Sequence, residues 1–142
     1  MTQLNAYFTF NGNCLEAMQF YRDCLGGELA VQTIGESPMA TTMPEEMKHF
    51  VLHAALVNPV LTLMATDCVG PDGLKTGNSI SLCINCASEE EIKILYKRLS
   101  EGGETTQPLM DTFWGALFGG LRDKYGNNWL LNYSRNMAPA LA

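Results

Sequence analysis

An internal repeat constrains this chain more than any other feature of its sequence. Laid on itself at an offset of about 75 residues, AYFTFNGNCLEAMQFYRDCLGGEL from Ala6 matches in kind SLCINCASEEEIKILYKRLSEGGET from Ser81. In the first copy Leu4, Ala6, Phe8 and Phe10 alternate with more polar positions, the period-2 pattern of a half-buried strand. Asn13 then offers an N-cap oxygen with Glu16 three residues on, a capping box. Leu15, Met18, Tyr21 and Leu25 recur at helical spacing, and Gly26-Gly27 supplies the stop. The second copy repeats each part: Ile80, Leu82 and Ile84 alternate, Ser88 and Glu91 form the box, Ile92, Leu95 and Leu99 make the stripe, and Gly102-Gly103 ends it.

Behind each helix the pattern predicts three strands. In the first half they run from about Glu28 to Ile34, Phe50 to Val57 and Val60 to Thr66, the last two turned at Asn58-Pro59. In the second they run from about Thr105 to Leu109, Ala116 to Arg122 and Asn128 to Tyr133, turned at Tyr125-Gly126-Asn127. The unit is βαβββ, twice. Two copies of an open unit, each with an apolar face, predict one α+β domain over residues 1–142, with pseudo-symmetric units at about 1–68 and 78–136. Two loops break the symmetry. Residues 35–49, GESPMATTMPEEMKH, space Met39, Met43 and Met47 by four and predict a flap with a helical turn, read either as a lid or as loop packing. Residues 67–78 are turn-rich and join the halves.

Composition narrows function. Only nine Lys and Arg stand against 15 Asp and Glu, a formal charge of -6, so the chain lacks the cations that bind nucleic acid through phosphates. No apolar stretch approaches the roughly 18 residues of a membrane helix, and the first residues lack a basic start with an apolar run. The expectation is a soluble, cytoplasmic protein. Five cysteines without a secretion signal read as reduced thiols.

A duplicated βαβββ unit of this length resembles the vicinal oxygen chelate superfamily of glyoxalases, bleomycin-resistance proteins and extradiol dioxygenases. The strings YFTFNGNCLEAMQFYRDCLGGEL, LHAAL with LTLMATD, and DTFWGALFGGLRDKYGNNWLLN resemble its PhnB-like branch, whose members have often been labelled 3-demethylubiquinone 3-methyltransferase-like; the match runs from Ala6 to Asn132. The resemblance implies a curved, half-open sheet around a cavity, commonly in a dimer. In the superfamily's metal enzymes, His and Glu on the first and last strands of each unit hold a divalent ion. Those positions match Asn5 or Ala6, Ser79, Thr62 and Leu130 here, and none carries a carboxylate or imidazole. No glycine-rich strand-to-helix turn suited to a nucleotide cofactor follows any strand.

Candidate chemistry gathers at two places. His53, in FVLHAALV, and Asp67, ending the next strand, could meet across the Asn58-Pro59 hairpin as a general base with its orienting carboxylate or as part of a metal site. The alternative is a hydrogen-bonded structural histidine and a turn-capping aspartate. His49 reads as solvated. The second place is the FWG segment with its aromatic neighbours: Phe8, Phe10, Thr112, Phe113, Trp114, Phe118 and Trp129 form the expected ligand pocket, weighed against core and dimer seam. Arg122 and Asp123 pair or hold the DKYG turn. Cys83 and Cys86 form a CxxC string, but Cys83 falls inside a strand rather than at a helix start, so redox and zinc roles are disfavoured. Cys14, Cys24 and Cys68 read as small apolar fillers. The expected function is a homodimeric protein that binds a small molecule in an aromatic-lined cavity, with no cofactor. The alternative is a metal-dependent lyase, isomerase or dioxygenase whose divalent metal sits on relocated ligands, His53, Asp67 and an acid from the flap.

Overall fold

The computed structural model describes residues 2–135. The chain divides into two compact units with the boundary between Lys75 and Thr76, inside the turn-rich joining stretch. The first unit runs β1 (Ala6–Thr9), α1 (Cys14–Leu25), β2 (Glu28–Thr33), β3 (Val51–Val57) and β4 (Thr62–Thr66); the second runs β5 (Leu82–Asn85), α2 (Glu89–Ser100), β6 (Glu104–Asp111), β7 (Ala116–Arg122) and β8 (Asn128–Ser134). Each unit holds one four-stranded sheet, ordered β1-β4-β3-β2 and β5-β8-β7-β6. In both, the strand before the helix pairs parallel with the last strand, and the other pairs are antiparallel. The fold is α+β and built from two βαβββ units.

Each helix covers one face of its own sheet. In the first unit the covered face carries Phe8, Ala54, Leu56, Leu63 and Ala65, with the Phe8 ring 5.3 Å from that of Tyr21 on α1. The buried stripe of α1 is Cys14, Ala17, Met18, Tyr21 and Cys24, while Leu15 is 41% exposed. The stripe is therefore rotated from the expected Leu15, Met18, Tyr21, Leu25 line onto Cys14, Ala17 and Cys24 beside Met18 and Tyr21, a face that fits the helical period equally well. On α2, Ile92 and Leu99 are fully buried, as the spacing predicts. The Tyr96 hydroxyl donates to a backbone carbonyl at Gln107 or Gly120, 2.8 and 3.1 Å away. Gly119 leaves room for that ring, since a Cβ there would lie 2.9 Å from it.

The glycine stops are close-approach positions. A Cβ on Gly27, whose φ is +121°, would lie 2.6 Å from the Val57 carbonyl oxygen, and one on Gly103 would strike the equivalent carbonyl of Arg122. The turns that follow those carbonyls are also equivalent. Asn58 Oδ1 accepts from the Val60 and Leu61 N–H groups at 3.0 Å each, and Asp123 Oδ1 accepts from Tyr125 at 2.9 Å and Asn127 at 3.0 Å. The other Asp123 oxygen accepts from the Trp129 indole N–H at 2.8 Å. Asp123 thus holds the DKYG turn.

The halves diverge at the caps and in the loop after the second strand. Ser88 caps α2 as expected, accepting from Glu91 N–H at 3.1 Å, while the Glu91 carboxylate reaches the N–H of Ala87 at 2.8 Å. Asn13 makes no side-chain cap. Asp67, distant in sequence, replaces it: its Oδ1 accepts from Gly12 N–H at 2.7 Å and Cys14 N–H at 3.1 Å, and its Oδ2 from Val51 N–H at 2.8 Å. The flap folds as three short 3-10 turns, Ile34–Glu36, Pro38–Thr41 and Glu45–Met47. Its counterpart between β6 and β7 is only residues 112–115.

Removing the Asp67 side chain strands three backbone donors at a buried site. Asp67→Ala is expected to lower unfolding stability by about 3 kcal/mol or more, and Asp67→Asn, which keeps one acceptor oxygen, by less, as read by urea denaturation.

Candidate functional site

The face of each sheet away from its helix carries the side chains free to meet a ligand. In the first unit, register sets three rows across β1, β4, β3 and β2. Tyr7 aligns with Met64, Ala55 and Ala30; the row toward the N-terminal end of β1 holds Thr62, Val57 and Glu28, with Asn5 beside Met64; the row on the other side holds Thr9 and Thr66, with His53 opposite Gln32. The Tyr7 and His53 rings stand 6.1 Å apart at 39°. Tyr7, Ala30, Ala55 and Gln32 were not singled out in the sequence, although alternation along β1, β2 and β3 opposes each of them to the apolar helix-facing set.

The hairpin does not bring His53 and Asp67 together. Asp67 is 3% exposed with both carboxylate oxygens committed to backbone N–H groups, while His53 sits on the opposite face against Tyr7. The register of β3 on β4 keeps them apart: Ala54 pairs with Ala65, so His53 lines up with Thr66, and Asp67 falls one residue on, toward the other face. Asp67 therefore has a capping role and cannot orient His53. His49 is exposed, its ring edge-on to Phe50 at 5.0 Å.

Several residues of the expected aromatic pocket lie in helix-covered cores of their own units. Phe8 and Phe10 pack on the α1 side of the first sheet, and Trp129, 2% exposed, lies on the α2 side of the second. These three are core rather than pocket, because alternation places them on the helix-covered faces. Phe113 and Trp114 stand at the β6–β7 hairpin, 98% and 57% exposed, with rings 4.9 Å apart and edge-on. Thr112 closes that turn, its hydroxyl 3.0 Å from the Ala116 carbonyl. Phe118 faces away from α2, its ring 6.4 Å from Trp114, in a row with Met110, Asn132 and Asn85. Asn132 Nδ2 donates to Asn85 Oδ1 at 3.2 Å. The hairpin base is tied down by Arg135, which donates to Glu89 on α2 and, at 2.9 Å, to Asp111 on β6.

The cysteines do not make a reactive pair. Burial, with smaller contributions from Asp67 and Cys68, pushes the Cys14 thiol up to about 12. Burial, then Glu91 and Cys83, does the same to Cys86. Thiols held in that form are weak nucleophiles. Cys24 is buried, but Cys68 is exposed and fills no core.

A family model for the Glyoxalase/Bleomycin resistance protein/Dioxygenase superfamily matches residues 3–131, and the chain belongs to that superfamily. Among its relatives is protein YjdN of Escherichia coli (strain K12), 29% identical over 138 residues and spanning 91% of this chain and 93% of that one. Protein PA1353 from Pseudomonas aeruginosa is 37% identical with a TM-score of 0.83, covering 94% of this chain and 98% of its own. A PhnB protein from Bacillus cereus is 26% identical with a TM-score of 0.75, covering 94% and 100%.

The superfamily's metal enzymes imply a divalent ion, and the residues at the corresponding positions do not fit one. Asn5 and Thr62 offer an amide and a hydroxyl. Strand pairing aligns Ala6–Leu63 with Leu82–Trp129, so the second-unit counterparts are Ser81 rather than Ser79, and Asn128 beside Leu130. None supplies the anionic or imidazole ligand such an ion needs. The relocated set is not assembled either: among the described residues no three His, Cys, Asp or Glu side chains cluster.

Two outcomes follow from these placements. Trp114→Phe is expected to remove most acrylamide-accessible fluorescence, leaving blue-shifted, poorly quenched emission from Trp129. Hydrogen bonds from Lys93 and then Arg135 hold the Glu89 carboxyl at about 2. Its folded value lies below its unfolded one, so its contribution to stability is present above about pH 4.3 and is lost as pH falls through the folded value. Arg135→Gln should make the acid limb of stability between pH 5 and 2 shallower in denaturant titrations.

Proposed function

We propose that this chain is a homodimeric binding protein for a small, partly apolar organic molecule and uses no divalent ion at the superfamily's metal positions. The observation that carries the reading is the donor chemistry of those positions: Asn5, Thr62, Ser81 and Asn128 with Met64 and Leu130 suit a neutral organic surface better than a cation. The open face of the second sheet supports it with Phe118, Met110 and Trp114 around the Asn85–Asn132 amide pair, an apolar lining with a few polar groups. Phe113, exposed at the hairpin tip, is the residue read as meeting a second copy.

Native mass spectrometry on protein purified without chelator or nickel resin tests the reading. A dimer without stoichiometric metal, whose Trp114 emission responds to apolar organic ligands while Trp129 stays constant in Trp114→Phe, is the expected result. About one tightly held transition metal per chain, or a Trp114 emission unmoved by a panel of aromatic and aliphatic ligands, would overturn it.

A further inference from the structure

The open face of the first sheet has a hole in it. Across β3 and β2 the middle row is two alanines, Ala55 and Ala30, directly paired, where the flanking rows carry Val57 with Glu28 on one side and His53 with Gln32 on the other. Same-face neighbours along a strand are about 6.7 Å apart and paired strands about 4.8 Å apart. The two missing side chains thus leave a depression about 13 Å between flanking backbone rows and two strands wide. β2 is an edge strand and Ala30 is exposed, so the depression opens at the side of the sheet.

Its inner wall is Met64, which pairs with Ala55 and stands between the alanine floor and Tyr7. Tyr7 and His53 lie on strands separated by β4, about 10 Å apart at the backbone, yet their rings come within 6.1 Å. The ring pair therefore reaches across β4 behind Met64, with His53 also bordering the floor in the adjacent row. The polar atoms on offer are the Tyr7 hydroxyl, the His53 ring nitrogens and the Gln32 amide, each able to donate a hydrogen bond. The facing rim carries a carboxylate, Glu28, which disfavours an anion.

We infer that Ala30, Ala55, Met64, His53 and Gln32, with Tyr7 behind Met64, form a subsite for a neutral aromatic or heteroaromatic ring bearing a hydroxyl or carbonyl oxygen. The alanine floor gives a flat apolar seat, the Met64 thioether and the His53 ring supply the contacts that favour an aromatic ring, and Gln32 or His53 meets the oxygen. The inference rests on the binding reading above and places a ring of the ligand on the first unit's sheet.

The test uses full-length protein and three bicyclic probes: 2-naphthol, its saturated analogue decahydro-2-naphthol, and 2-naphthoate. NMR titration follows the His53 ring protons and the Ala30 and Ala55 methyl groups. The expected result is saturable shifts with 2-naphthol, binding at least tenfold weaker for the saturated and anionic analogues, and at least tenfold loss in Ala55→Leu or Ala30→Leu, which fill the hole. Ala30→Leu alters an exposed position, so it reports even where Ala55→Leu perturbs the sheet. Equal binding of decahydro-2-naphthol, or unchanged 2-naphthol affinity in Ala30→Leu, overturns the subsite. Shifts confined to residues around Trp114 and Phe118 overturn it while leaving the binding reading intact; no response at either place removes both.

Discussion

The first unit is organised around one buried carboxylate. Asp67 directly follows β4, and its two oxygens collect the N–H groups of Gly12 and Cys14 at the start of α1 and of Val51 at the start of β3. A buried anion is tolerable only when its lone pairs are filled, and N–H groups at a helix start provide both hydrogen bonds and favourable dipoles. One side chain thereby fixes where the helix begins, where the third strand begins and how the β1–α1 loop closes. The second unit solves the same problem locally, with Ser88 at the helix and Asp123 at the turn, the latter also holding Trp129.

That division of labour shapes the chemistry left over. Because Asp67 is committed to backbone, no carboxylate among the described residues orients His53, which stands with Tyr7 on the opposite face. Because Phe8, Phe10 and Trp129 belong to the helix-side cores, the free aromatic surface includes Tyr7 in one unit and Phe113, Trp114 and Phe118 in the other. The superfamily's metal positions carry amides, hydroxyls and aliphatic groups, so the open faces are built for hydrogen bonds and apolar contact.

Much of this was legible in the residues. Leu82–Ile84 and Ala6–Phe8 alternate as strands, and in each glycine pair the first residue leaves the helix at positive φ while a Cβ on the second, Gly27 or Gly103, would meet a carbonyl across the turn. The Ser88 cap could be read because a cap three residues from its partner is a local event. The Asn13 cap could not, because a long-range acceptor just after β4 outcompeted it. The rotated stripe of α1 was hidden for a similar reason: helix period alone does not say whether Leu15 or Cys14 faces the sheet, and packing against the sheet decides.

The sequence by itself determined the duplication, the element order, the stops and the superfamily, since these depend on local periodicity, steric limits on turns and a string of residues long enough to match. Only the tertiary structure decided which aromatics are core and which are free, that Asp67 is a cap and not a catalytic partner, and that two paired alanines leave a hole beside Met64 and His53. Each of those depends on strand register. In a sheet a shift of one residue moves a side chain to the other face, and the contacts that set it lie far apart in the chain.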